Sequence, residues 1–190
     1  SSLSVYNIGN NNFINLKSLK KPHTNYGLSK LEAEIKLMKL FDESELFIHI
    51  VRPPMIYGKN APGNYARLNE IAKKGYFVPK LSSFNRRTFV SLFNVLEFIE
   101  YLTITLPQEN TEAIVADKEP VSTDVLLEHL YGLYGHSNRL INVPYFMQRA
   151  LKNLLRKHNA GKQYFGNLEI TEPRMSACLK WEPTYDMESS

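Results

Sequence analysis

Tyr26 and Lys30, in the stretch Tyr26-Gly27-Leu28-Ser29-Lys30, are the residues whose types and spacing could do chemistry. Four positions apart on a helix, they share a face. A phenol with a pKa of about 10 in water becomes a usable base near neutrality only where a positive charge favours the phenolate. An ammonium one turn away supplies that charge, so the spacing allows a proton-transfer pair. A solvated helix face is the plain alternative, because short motifs arise often by chance. The chain carries its own control: Tyr76 and Lys80 have the same spacing but follow Gly75 and enclose Pro79, which argues against a helix.

The elements that must position the pair can be read around it. Leu28, Leu31, Ile35 and Met38 recur at helical spacing with Glu32, Glu34 and Lys36 between them, predicting an amphipathic helix entered after Pro22 and ending near 41–44. Leu46 to Val51 is a near-continuous apolar run, the pattern of a parallel strand covered on both faces. Arg52-Pro53-Pro54 stops it, because prolines remove backbone donors. Ligands of open α/β sheets bind beyond such carboxyl strand ends. Before the helix, Ser1 to Tyr6 reads as the C-terminal end of a buried strand and the loop leaving it, with the strand itself missing, and 7–21 reads as a loop.

Further along, Asn64 is a candidate N-cap for a helix through Leu68 and Ala72, whose free amides would suit an anion. Phe77 to Pro79 and Thr88 to Val90 read as short strands flanking a polar turn at 82–87. Leu92 to Leu106 reads as a helix, Ala113 to Ala116 as a buried strand, and Ser122 to Tyr134 as a helix capped by Ser122 or Thr123. Leu140 to Pro144 is extended. Tyr145 to His158 is a helix with a basic side at Arg149, Lys152, Arg156 and Lys157, read as a solvated face rather than a nucleic-acid patch.

Composition narrows the classes. The chain has 190 residues, 43% of them hydrophobic, enough for one substantial core without disorder or fibrous repeats. No apolar run approaches the ~20 residues of a membrane span, so a soluble, cytoplasmic protein is expected. The single cysteine, Cys178, excludes an internal disulfide, and the five histidines show no metal-ligand spacing, so no metal is expected. The net charge of +4 suits a phosphate-bearing ligand without requiring one.

Taken in order, Ser1-Ser2 before Tyr6, Tyr26-x-x-x-Lys30, Arg52-Pro53-Pro54-x-x-Tyr57-Gly58, Arg86-Arg87-x-Phe89-Val90 and Leu179-Lys180-Trp181-Glu182-Pro183 resemble the extended short-chain dehydrogenase/reductases that act on nucleotide sugars. The joint spacing covers nearly the whole chain and is more specific than any single motif. The resemblance implies an α/β fold: the C-terminal part of a Rossmann-like doubly wound parallel sheet plus a small α/β substrate-binding lobe. Residues 1–60 would be the remaining part of the dinucleotide-binding domain and 61–190 mainly the substrate lobe, with 88–117 returning to the sheet. It implies an NAD- or NADP-dependent UDP-hexose 4-epimerase or 4-keto-sugar reductase of bacterial surface-polysaccharide synthesis, and it allows a homodimer of the full-length parent. The alternative is a non-catalytic remnant or nucleotide-sugar binding module of the same fold.

Position by position, the resemblance implies that Tyr26 is the general acid/base, Lys30 holds the nicotinamide ribose, and Ser2 hydrogen-bonds the reacting sugar oxygen. Pro53 and Pro54 would lie against the nicotinamide, while Asn64 and Arg87 would meet the nucleotide diphosphate. Tyr26 would take the sugar hydroxyl proton as hydride leaves for the nicotinamide. Strand-end Ser2 and surface-turn Arg87 remain the bland readings of those two residues.

Three departures accompany the likeness. The family's Gly-rich phosphate turn, expected about a hundred residues before Ser2, does not occur in these residues. Met55 stands where many relatives carry Asn, and Asn94 where they often carry Asp. The chain also stops at Ser190, soon after the Trp181 motif. The expectation is therefore the C-terminal portion of an enzyme, inactive alone and impaired in cofactor binding.

Overall fold

All four strand ladders among the described residues are parallel. A computed structural model of the chain describes residues 1–8, 13–41, 44–81, 85–156 and 166–187. In chain order the elements are a 3-10 turn at Leu3–Val5, β1 (Phe13–Ile14), α1 (Asn25–Leu40), β2 (His49–Val51), β3 (Met55–Tyr57), α2 (Asn64–Lys73) and β4 (Val78–Pro79). There follow β5 (Phe89–Ser91), α3 (Leu92–Thr105), β6 (Thr111–Ala113), α4 (Thr123–Leu133), β7 (Leu140–Ile141), α5 (Tyr145–Arg156) and β8 (Glu169–Ile170). The pairs are β1 with β8, β2 with β6, β3 with β5 and β4 with β7. Parallel pairing needs long crossovers, and each pair here is separated in sequence by at least one helix. This is the partial Rossmann-like α/β fold expected.

The chain divides into two compact units. The first comprises Ser1–Gly58, Thr88–Glu119 and Leu168–Ser190; the second comprises Lys59–Arg87 and Pro120–Asn167.

In the first unit, Leu3, Val5, Tyr6, Ile14, Ile114, Ala116, Leu168 and Ile170 form one buried cluster. Val90, Phe98, Ala113, Val115 and Leu179 form another, finished by Trp181, which meets Phe98 edge-on at 5.1 Å. Each large apolar side chain so buried contributes roughly 1.5–3 kcal/mol. Asn94 on α3 is fully buried and ties in the segment after Trp181: it donates to the Asp117 carboxylate at 2.6 Å and the Tyr185 carbonyl at 2.8 Å, and accepts from the Thr184 and Tyr185 amides. In the second unit α2 packs on α4, and the Tyr131 hydroxyl on α4 donates to the Tyr76 carbonyl at 2.6 Å.

Several local expectations need correction. The loop expected over 7–21 contains β1, whose partner β8 supplies hydrogen bonds that no local pattern reveals. The strand expected over 46–51 is only His49–Val51, because its partner Thr111–Ala113 is three residues long; Leu46 and Phe47 stay exposed. That partner also lies earlier than the expected 113–116, whose last three residues are buried. The strand does stop at Val51, before the prolines, as expected, and a separate strand, β3, follows them and joins β5. The short strands expected around 77–79 and 88–90 are found as β4 and β5 on either side of the 82–87 segment, of which 82–84 lie outside the described set, and they pair with β7 and β3. Lys157 and His158, at the end expected for the last helix, also lie outside it.

Candidate functional site

α1 begins just before Tyr26 because the Thr24 hydroxyl accepts from the Gly27 amide at 3.0 Å, satisfying one of the orphan donors of a helix start. Tyr26 is 56% exposed, and Lys30 Nζ lies 5.5 Å from the centre of its ring, within cation–π range. The two residues therefore share a face, as their spacing requires. Tyr76 and Lys80 do not repeat the arrangement: Gly75 has a positive φ of 65°, β4 intervenes, and Lys80 pairs with Glu128 at 2.8 Å.

The inward face of α1 differs from the expected apolar stripe. Leu28, Ile35 and Met38 remain 37–48% exposed, whereas Gly27 and Glu34 are buried and Leu31 is half-buried. Two contacts explain the rotation. At Gly27 a Cβ would stand 2.3 Å from the Ser4 carbonyl oxygen, so the absence of a side chain lets α1 press against the Leu3–Val5 turn. One turn beyond Lys30, Glu34 meets Arg52. The Arg52 guanidinium is fully buried and donates Nε to Glu34 Oε1 at 2.7 Å and Nη2 to Glu34 Oε2 at 2.8 Å. It also donates to both oxygens of Glu112 on β6, at 2.8 and 3.0 Å, and to the Tyr6 hydroxyl at 2.9 Å.

Burial opposes the charge of Arg52, but Glu112 and Glu34 outweigh it and hold the guanidinium more firmly protonated than an ordinary arginine. Hydrogen bonding from Arg52, joined by Lys20 at 2.8 Å, draws the Glu112 carboxyl down to about 2. Burial pushes the Tyr6 phenol up.

Ser2 caps the Leu3–Val5 turn, its Oγ accepting from the Ser4 amide at 3.2 Å, and the Leu3 amide donates to the Pro53 carbonyl at 2.9 Å. Through these contacts the turn bearing Ser2, the helix bearing Tyr26 and Lys30, and the turn bearing Pro53 and Pro54 are assembled in one unit. Both prolines keep part of their surface exposed.

Asn64 and Arg87 belong to the second unit. Asn64 is the first residue of α2 and not its cap; that position falls to Gly63, whose φ of 76° suits glycine. Arg87 is no surface-turn arginine. It is buried, bridges to Val121 through its backbone, and donates Nη1 to the Gly166 carbonyl at 2.6 Å. Burial lowers its pKa to about 10. Its neighbour Asn85 bonds the backbone and side chain of Thr123 at the start of α4.

Sequence reasoning missed Arg52, Glu34, Gly27 and Thr24. The available signal was an acid on the inward side of an apolar helix, facing an arginine at a strand end. Among the described residues no group of acidic, histidine and cysteine side chains is arranged to hold a metal.

The Male sterility protein family, an NAD-binding family, matches residues 9–89. UDP-glucose 4-epimerase of Vibrio cholerae is 27% identical over 168 residues, which cover 88% of this chain and 51% of that protein. These two likenesses support a place for the chain among the extended short-chain dehydrogenase/reductases. N-acetyl-alpha-D-glucosaminyl-diphospho-ditrans,octacis-undecaprenol 4-epimerase of Escherichia coli O157:H7 is 29% identical over 103 residues, 53% of this chain and 31% of that protein. The chain thus spans about half the length of the first relative and a third of the second. RMD of Pseudomonas aeruginosa, solved with NADPH, matches the whole chain and 61% of its own with a TM-score of 0.70 at 17% identity, a likeness of fold. Both of these sequence relatives are 4-epimerases by name. No helix among the described residues is long and apolar enough to cross a membrane.

Proposed function

We propose that the full-length parent of this chain is an NAD(P)-dependent UDP-hexose 4-epimerase, with 4-keto-sugar reduction as the related half-reaction, serving surface-polysaccharide synthesis. The observation that carries this reading is the exposed Tyr26 ring with Lys30 Nζ 5.5 Å from its centre, on a helix seated against the Ser2 turn. Both curated relatives act at a sugar C4 position by name, and one name specifies a lipid-linked sugar of the kind polymer synthesis uses.

The nicotinamide end of the cofactor fits the first unit: a cation for ribose hydroxyls at Lys30, and partly exposed ring faces at Pro53 and Pro54. When bound, the cofactor supplies the hydride acceptor and donor. Tyr26 takes the proton from the sugar 4-hydroxyl and returns it as the ketone is reduced. Ser2 donates a hydrogen bond that fixes the reacting oxygen. Lys30 places positive charge beside the ring as the phenolic proton moves. Arg87, a buried cation with a backbone carbonyl as partner, suits the diphosphate oxygens, and Asn64 stands at the start of α2, where the helix dipole favours an anion.

The test is turnover of UDP-glucose and UDP-galactose by the parent enzyme carrying Tyr26→Phe. A loss of about a hundredfold or more with UDP-sugar affinity retained is expected; wild-type turnover in the variant overturns the reading.

A further inference from the structure

The most one-sided charge in the molecule lies away from the Tyr26 helix. Between Glu128 and Glu169 the sequence has no acidic residue, yet it contains Arg139, Arg149, Lys152, Arg156, Lys157 and Lys162. These positives exceed the +4 of the whole chain, so the rest is slightly acidic and the basic character is concentrated here.

Within this segment lies α5, Tyr145–Arg156, about 18 Å long at helical rise. In the helical repeat of its sequence, Phe146, Met147, Ala150, Leu151, Leu154 and Leu155 share one side, while Arg149, Lys152 and Arg156 recur on the other. A helix built this way in a globular domain normally buries its apolar side. Here most of the apolar side that is described faces outward: Phe146 is 72% exposed and Met147 42%, Ala150 is exposed, and Leu151 is half-buried. Gln148 instead folds back, donating Nε2 to the Val143 carbonyl at 2.9 Å. Just before the helix, Ile141 is also 46% exposed. Among the described residues α5 makes no extended packing contact with another helix or strand.

We propose that α5 is an interfacial helix that lays its apolar side into the surface of an anionic phospholipid bilayer. The chemistry of the two sides is that of helices lying in the headgroup plane: aromatic and aliphatic residues enter the acyl boundary, and arginine and lysine on the opposite side meet lipid phosphates. Charge complementarity selects the occupant. A second copy of the chain would bring two acid-free basic segments together and be repelled, whereas the negative surface of an anionic leaflet attracts each basic residue near it. Nucleic acid would use the basic side and leave Phe146 and Met147 in water. A bilayer uses both sides. This attachment is peripheral and independent of the Tyr26 chemistry.

The experiment is sedimentation of the chain with vesicles of mixed phosphatidylglycerol and phosphatidylcholine, against phosphatidylcholine alone. Retention on the anionic vesicles is expected, with weaker retention on the neutral ones and release as salt rises. Phe146→Ser and Arg149→Glu should each weaken partitioning by about tenfold, with far-ultraviolet circular dichroism and melting temperature unchanged because both positions are exposed. The inference is overturned by failure to bind anionic vesicles or by binding that Phe146→Ser leaves intact. A dimer that Phe146→Ser dissociates without vesicle binding also overturns it, as does single-stranded RNA binding in place of lipid.

Discussion

Arg52 grips Glu34 through two parallel hydrogen bonds, 2.7 and 2.8 Å long, one turn along α1 from Lys30. The pair sets the rotation of the helix that presents Tyr26, because Glu34 can reach the guanidinium only when Leu28, Ile35 and Met38 turn outward. Replacing Glu34 with Ala leaves a buried guanidinium short of one carboxylate, a class of change that costs about 3–5 kcal/mol. Urea unfolding of the variant is expected to show a loss of that order. A loss below about 1 kcal/mol would mean that Glu112 alone satisfies Arg52.

Glu112 gives the network a pH signature. Its carboxyl is held down to about 2 by Arg52, below its ordinary range, so its contribution is complete above the unfolded pKa and is lost as pH falls toward about 2. Asp117 works in the opposite direction: burial pushes its carboxyl up, so its ionisation lowers stability as pH rises out of the acid range. Chemical denaturation of Glu112→Gln across the acid range is expected to give a shallower acid decline than the wild type. Identical slopes would remove Glu112 as the source.

Gly27→Ala reverses a common rule. Alanine in place of a helical glycine ordinarily stabilises by roughly 0.5–1 kcal/mol, but this Cβ would stand 2.3 Å from Ser4 O and 2.9 Å from Pro22 Cβ. Separation of α1 from the Leu3–Val5 turn should cost about 1–3 kcal/mol, read as a lower melting temperature. A rise in melting temperature would show that the turn moves freely.

Asn94→Asp sets a second carboxyl beside Asp117, where the amide now donates at 2.6 Å. Both cannot ionise there, so the variant should lose on the order of 3 kcal/mol at neutral pH and recover part of it in acid, where the two share a proton. Denaturation midpoints measured in neutral and acidic buffer check both statements.

Arg87→Lys keeps the charge and discards the planar fork. If the guanidinium receives the diphosphate, calorimetry with UDP should show affinity falling about tenfold or more, while Arg86→Lys changes it little. Equal effects at the two positions would point to general charge instead.

What the amino-acid pattern disclosed, and what it withheld, follows the range of the forces involved. Helices α1, α3 and α4 could be read because capping and periodicity act within a few residues: Ser122 accepts from the Val125 amide, as its position before the apolar run foretold. The short ladders were poorly legible. Phe13 pairs with Glu169, and nothing near either residue announces the other. The inward side of α1 was misread for a related reason, since Glu34 looks like a solvated acid until Arg52 arrives from a different strand. Asn64 was misassigned by a single position because Asn and Gly both suit a helix start, and only the backbone angle at Gly63 separates them.

The bond between β1 and β8 also sets a timetable. Their partners Phe13 and Glu169 are separated by most of the polypeptide, and at translation speeds of about 5–20 residues per second the first waits roughly 8–30 s for the second to leave the ribosome. During that interval Ile14 lacks the neighbours Leu168 and Ile170 that later enclose it. The nascent chain therefore holds an unfinished apolar edge until these later residues emerge.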